Sequence, residues 1–228
     1  EATDGALRIG GTATHRTIER SPLVRESWPE LAEMERHVAN VRVRATGTLG
    51  GNLAFADPHS DPATFLLAAG ARVHLARGGR RRTLPIAAFV LGPYETALER
   101  GELLEAIEVP ARPPDAAMAH LRFAIVERPA ATVSAWVRVA DGEVADARVA
   151  AGSVGIAPVA PPDAAAALAG QLATDIDAEA LSAMGRRLAQ AAAPVTDGNG
   201  SDEYKSALVV ELAGRAVREA AARAARAA

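Results

Sequence analysis

The segment ATGTLGGNLAFADPHSD, residues 45–61, gathers glycines, hydroxyls, an amide and two carboxylates between ordinary apolar runs. Glycine lets the backbone approach a bound group closely, and the Thr48 hydroxyl, the Asn52 amide and free backbone N–H groups can together hold a pyrophosphate or a polar ring edge. The pattern is neither of the two common phosphate loops: no Gly-Lys-Ser/Thr follows, and the glycine spacing is not GxGxxG. Taken alone, GTLGGN fits a tight connection between elements as well as it fits a ligand contact. His59 lies in the same segment beside Asp57 and Asp61 and reads as a solvated loop histidine. It and the other histidines, His15, His37, His74 and His120, show no metal-ligand spacing and read as surface or packing residues. The hairpin-like ARGGRRRTL places Arg77, Arg80, Arg81 and Arg82 at a turn, where four solvated guanidiniums are the default and subunit docking is the functional use they suit.

The elements around this segment must position it. Thr14 reads as a helix cap, and Leu31, Met34 and Val38 recur at helical spacing along one face. Directly after the glycine segment, Asp61 as N-cap, Pro62 at the first helical position and Gly70 as stop predict a helix. Short helices are expected to alternate with strands in this half. Strands are expected on both sides of Gly78-Gly79 and over ELLEAIEVP. The proline-rich, aperiodic residues 111–117 read as a linker between a unit at 1–110 and one at 118–228. In the second unit an antiparallel three-stranded meander with a turn at Asp141-Gly142 precedes helices over PPDAAAALAGQ, over DAEALSAMGRRLAQAAA and, capped by Ser201, over the long C-terminal stretch. Trp28 and Trp136 read as core or interface residues.

Composition narrows the function classes. The 228 residues are 49% hydrophobic and 4% aromatic with a net charge of −3, so no basic field suited to nucleic acid is present. No apolar run approaches the ~20 residues of a membrane span, and the first residues lack signal-peptide features, so a cytoplasmic protein is expected. The absence of cysteine removes disulfides, thiol nucleophiles and thiolate-held metal clusters from this chain.

Over VANVRVRATGTLGGNLAFADPHSDPATFLLAAGARVHL the sequence resembles the FAD-binding medium subunit of molybdenum hydroxylases, the family of carbon monoxide dehydrogenase medium subunits and xanthine dehydrogenase FAD domains. LRIGGTATHRTIERSPLV, LGPYETALERGELLEAIEVP and SDEYKSALVVELAGRAV extend the resemblance over nearly the whole chain. It implies an α+β fold: a PCMH-type flavin subdomain, expected here to lack its first glycine-rich loop, followed by a domain with a three-stranded antiparallel sheet covered by helices.

The resemblance also implies a site. Thr48, Leu49, Gly50, Gly51 and Asn52 match the loop that contacts FAD, mainly at its phosphate and ribityl region, and Ser60 and Asp61 match a pair whose carboxylate hydrogen-bonds the cofactor. Val38 and Leu104 match apolar residues that flank the isoalloxazine, Tyr94 lies in a segment approaching its face, and Arg122 matches a basic residue near its pyrimidine end. No general base is expected. The implied partners are a large subunit with the molybdenum cofactor, a small subunit with two-iron two-sulfur clusters, and an external electron acceptor, in a heterotrimer or its dimer. FAIVERPAATVSAW is less basic than the same stretch of many relatives, and the lack of cysteine excludes the iron–sulfur insertion of the benzoyl-CoA reductase branch. The alternative is a scaffold or docking subunit that has lost FAD; a third reading is an unrelated nucleotide-binding module.

Overall fold

The computed structural model describes residues 1–3, 5–124 and 127–227. Strands β1 (Ala2–Thr3) and β2 (Ala6–Gly10) open the chain, and six short helices follow: α1 (His15–Arg20), α2 (Pro22–Ser27), α3 (Pro29–Arg36), α4 (Val41–Thr46), α5 (Leu49–Phe55) and α6 (Asp61–Ala69). The expected alternation with strands is therefore replaced by an unbroken helical run. Each short helix begins at a cap or a proline: Thr14 accepts from the Thr17 N–H, Ser21 from Val24, Asn40 from Arg42 and Val43, and Thr48 from Gly51, while Pro29 opens α3. Leu31 and Met34 are buried on α3 as their spacing predicts, but Val38 lies past its end, in a turn where Ala39 has a φ of 42°.

Strands β3 (Arg72–Arg77), β4 (Arg80–Pro85), β5 (Val90–Gly92), β6 (Glu95–Thr96) and β7 (Leu103–Val109) complete the first half. The main sheet is antiparallel with order β1-β2-β7-β3-β4, and Leu7, Ile9, Val73, Leu75, Ile107 and Val109 fill one core. The β3–β4 hairpin turns at Gly78-Gly79 as expected, both with positive φ. Two of its four arginines are not simply solvated: Arg81 and Arg82 form forked hydrogen bonds to Glu105 and Glu102.

Strands β8 (Ala116–Phe123), β9 (Ala131–Ala140) and β10 (Glu143–Gly152) form the three-stranded meander, with Asp141 and Gly142 both at positive φ in its tight turn. Helices α7 (Ala178–Ala192) and α8 (Asp202–Ala225) cover one face, and Ser201 caps α8 by accepting from the Tyr204 N–H. The helix expected over residues 161–171 is reduced to one 3-10 turn at Ala166–Leu168. Prolines at 161 and 162 and a glycine at 170 leave too few residues for a regular helix.

The period of two along β8 and β9 divides the sheet's residues between two cores. Ala117, Ala119, Val133, Ala135 and Val137 face α7 and α8, whereas Met118 and Trp136 join the core of the first half. Helix α6 packs on the first-half side of this sheet, with eight of its nine residues buried. Both tryptophans pack as expected: Trp28 donates its indole N–H to the Pro110 carbonyl, and the Arg148 guanidinium stacks 4.1 Å over Trp136.

The fork from Arg82, together with the Glu99 N–H, holds the Glu102 carboxyl down to about 2. Its folded-state value lies below the ordinary 4.5, so its stabilisation is complete above that pH and is lost as pH falls toward 2. Glu102→Gln is expected to flatten the acid limb of a urea-unfolding series over that window, relative to the wild type.

Candidate functional site

The glycine segment is not a loop. Thr48 caps α5, so GTLGGN forms the first turn of a helix whose C-cap, Ala56, is left-handed with a φ of 50°. Its backbone N–H groups are spent within the protein: Leu49 donates to Ala13, Gly50 to Gly11, Gly51 to the Thr48 hydroxyl oxygen and Asn52 to the Thr48 carbonyl, all at 2.9–3.0 Å. The expectation that free N–H groups here cradle a pyrophosphate is therefore corrected. The strand-to-helix connection after β2 has taken the donors that a helix start ordinarily leaves open. A Cβ on Gly50 would stand 2.5 Å from the Gly11 carbonyl oxygen, so this glycine serves backbone-to-backbone packing. Leu49 is fully buried in the core. The Thr48 hydroxyl hydrogen and the Asn52 side chain remain as functional groups.

The chain then turns through residues 56–60 into α6. Ser60, not Asp61, is the N-cap residue, and it makes no side-chain cap bond. Its hydroxyl instead donates to Asn52 Oδ1 at 2.6 Å, tying α5 to α6. Asp61, in the first turn, is buried with its Oδ1 3.3 Å from His120 Nε2 and 3.7 Å from Arg122 Nε. A carboxylate only accepts, so Nε2 of His120 donates, and Nδ1 meets the Ser134 hydroxyl at 2.8 Å.

Val38, Asn52, Ser60 and Asp61 border one cleft of about 210 Å³, closed on its other side by residues 127–129. Two arginines fix the turn that presents Val38: Arg44 donates to the carbonyls of Val38 and Ala39, and Arg122 to that of His37. Arg122 also donates to the Glu127 carbonyl, while its buried Nε has no hydrogen-bond partner among the described residues. Tyr94 lies at the far end of α5, exposed, with its ring 5.0 Å from that of Phe55 and its N–H donating to Ala56. Leu104 is half-buried on β7, behind Gly11, its carbonyl against that glycine.

His59 is not solvated as its place in the sequence suggests. Its side chain is 13% exposed; Nδ1 donates to the Pro129 carbonyl at 3.0 Å and Nε2 lies 3.7 Å from Asp197. Burial pushes the Asp197 carboxyl up, but Lys205, 2.7 Å away, and the Asn199 N–H outweigh it and hold the group below its usual range. Lys205 itself is fully buried. Beneath α1, His15 Nδ1 meets Glu35 at 2.6 Å, both buried, and burial pushes Glu35 up. His120, Ser134 and Arg128, which pairs with Asp57, were not singled out by spacing. The available signal was alternation: polar residues 120, 122 and 134 share the β8–β9 face opposite an all-apolar one.

The arrangement is a polar cleft between two α+β halves, with donors and acceptors around one apolar wall. The FAD binding domain in molybdopterin dehydrogenase matches residues 1–112, and the CO dehydrogenase flavoprotein C-terminal domain matches residues 123–220. Nicotine 6-hydroxylase medium subunit of Paenarthrobacter nicotinovorans is 33% identical, covering 95% of this chain and 76% of that protein. Carbon monoxide dehydrogenase medium chain of Afipia carboxidovorans is 29% identical over 98% of this chain and 77% of its own length. Among solved structures, carbon monoxide dehydrogenase from Hydrogenophaga pseudoflava superposes with a TM-score of 0.92 at 29% identity, over 98% of this chain and 77% of that one. Quinoline 2-oxidoreductase from Pseudomonas putida 86 gives 0.89 at 28%, over 98% and 78%. The chain belongs to the family of FAD-binding medium subunits of molybdenum hydroxylases, components of oxidoreductase complexes. Among the described residues, no helix is long and apolar enough to cross a membrane.

Gly50→Ala is expected to cost about 1–3 kcal/mol in denaturant unfolding, from overpacking against backbone. Gly10→Ala, with open space around its Cβ, serves as the control and should change stability far less.

Proposed function

We propose that this chain holds part of FAD in the cleft bordered by Val38, Asn52, Ser60 and Asp61, and that it passes electrons from a partner's two-iron two-sulfur clusters to an external acceptor. The observation that carries the reading is the convergence of Asn52, Ser60 and Asp61 beside an apolar wall, with Arg122 3.7 Å from the Asp61 carboxylate, in a chain of a FAD-binding family. The donor set suits the group: an amide, a hydroxyl and a carboxylate match ribityl hydroxyls and a ring edge that both donates and accepts. The cleft is smaller than the roughly 300–1,000 Å³ of a site that engulfs a drug-sized ligand, so it receives a portion of the cofactor.

When bound, FAD supplies the chemistry of accepting and releasing electrons, and the chain's residues bind, orient and tune it. Asp61 is held by burial and by His120, so its carboxylate is a fixed acceptor. The Asn52 Oδ1 is occupied by Ser60, which turns the amide's N–H groups toward a ligand. Val38 excludes water from one side. Arg122 places positive charge beside Asp61, a field that favours negative charge gained on reduction. Thr48 offers its hydroxyl hydrogen one turn away along α5, and Tyr94 and Leu104 are proposed as more distant contacts. The large subunit carrying the molybdenum cofactor and the small iron–sulfur subunit are the proposed partners, with residues 111–117, the last two of which already belong to β8, joining the two units.

Asp61→Asn in the purified complex is expected to weaken FAD binding by about 10–100-fold, the equivalent of one charge-assisted hydrogen bond worth roughly 1.5–3 kcal/mol. Asn52→Ala should cost up to about tenfold, for a neutral bond. Flavin fluorescence quenching and FAD content per chain measure both. A wild-type complex that assembles without flavin would overturn the reading in favour of a scaffold.

A further inference from the structure

We propose that the groove between α3 and the open edge of β8 binds a small single-ring molecule of the cyclic amide class, with adjacent N–H and C=O groups and one further N–H donor. β8 is the outer strand of its sheet, in the order β10-β9-β8, so alternate residues along it turn their backbone N–H and C=O away from β9. The hydrogen bonds at its start show which residues these are. Ala116 donates its N–H to the Pro113 carbonyl, and Met118 donates to Glu30 Oε1 at 3.3 Å while its carbonyl accepts from Arg223 at 2.9 Å. His120 is next in this phase, and neither its N–H nor its C=O has a hydrogen-bond partner among the described residues. A ligand with an N–H beside a C=O meets both groups at once.

At this point the groove holds a cavity of about 210 Å³, lined by His120 and Arg122 from β8 and by Glu30, Glu33, Met34 and His37, which share one face of α3 and its cap. Glu30 and Met34 are buried and form its inner part, whereas Glu33 and His37 are exposed at its mouth. The Glu30 side chain is 7% exposed, and its Oε2 is buried with no hydrogen-bond partner among the described residues. An acceptor in that state costs free energy until a donor reaches it. Arg112, 2.7 Å from Oε1, already pairs the charge, so the donor that Oε2 lacks is a neutral N–H and not a second cation. Glu35 Oε1, the other such oxygen on this helix, differs: its side chain is fully buried beside His15, and burial pushes its carboxyl up, toward the neutral form. Outward-facing residues of a strand repeat every ~7 Å, so the His120 groups and the carboxylate held at Met118 stand about one ring apart. An apolar cavity of about 150 Å³ takes up benzene, so this one admits a single substituted ring, with the polarisable Met34 sulfur beside it. His120 and Arg122 meet Asp61 through their side chains, so the site adjoins the proposed cofactor cleft and shares none of its lining.

Uracil carries this set of groups, and dimethyluracil, methylated at both ring nitrogens, keeps the ring and its carbonyls without a donor. The test titrates the full chain, isotope-labelled at its backbone amides, with each compound and follows the amide resonances. Uracil is expected to saturate one site with its largest shift at the His120 N–H, and dimethyluracil to bind at least about tenfold more weakly for the loss of two neutral hydrogen bonds. Glu30→Gln, which replaces the orphan carboxylate by an amide, is expected to weaken uracil by about 3–10-fold. Equal affinity for the two compounds overturns the proposal, since it reduces the cavity to an apolar slot. Saturation with shifts elsewhere in the chain, or no saturation by uracil at all, overturns it as well. Should Glu30→Gln fail to fold, the comparison of the two compounds on the wild type decides alone.

Discussion

Helix α6 is the constraint on which the rest of the structure depends. A helix apolar on all sides has no stable place on a surface, and α6 is walled by the three-stranded sheet on one side and by the first half's core on the other. Phe65 and Leu66 are fully buried, and Thr64 is satisfied by a hydroxyl chain through Thr132 toward Ser153. The helix cannot shift without opening the first half's core along the sheet it packs against. Asp61 inherits that rigidity, which is why a carboxylate can be buried at the cleft with defined partners and without freedom to turn away. Gly152 serves the same packing, since a side chain there would collide with the Thr64 hydroxyl.

A second constraint acts at α5. Its glycines allow Gly11 and Gly50 to meet backbone to backbone, and the hydrogen bonds that result consume the helix's opening N–H groups. A glycine-rich helix start is ordinarily a place where anions can bind. Here the same composition closes that option and shifts the available chemistry to side chains, the Thr48 hydroxyl and the Asn52 amide. What a glycine-rich helix start can bind thus depends on what the neighbouring backbone has already claimed.

The sequence makes the local signals legible and hides the non-local ones. Thr14, Ser201, Gly70 and Asp141-Gly142 act where their chemistry places them, because caps and turns are settled within four residues. The α5 segment looks like a connection in the sequence because two glycines each disfavour a helix by about 1 kcal/mol; packing on Gly11 and the Thr48 cap override that preference. The 161–171 segment fails in the opposite sense, alanine content suggesting a helix that the flanking proline and glycine residues cut to one turn. At the site, Asn52, Ser60 and Asp61 were visible through one continuous segment. His120 was not, because its partner lies 59 residues away and only the fold brings them together.

That separation has an energetic consequence. Asp61 and Asn52 come from the first half, whereas His120, Arg122, Ser134 and the 127–129 wall come from the second, and His59 reaches across to Pro129 and toward Asp197. A ligand in this cleft touches both halves, so part of its binding free energy acts on their docking and, reciprocally, whatever tightens the docking tightens the ligand. The pair of buried Lys205 and exposed Asp197 lies on this line of contact, since Asp197 faces both the ammonium and His59. Removing the carboxylate would leave the buried ammonium without its counter-charge. The cleft, the His59 bridge and the packing of α6 therefore meet around the first turn of α6, at the carboxylate that borders the cleft.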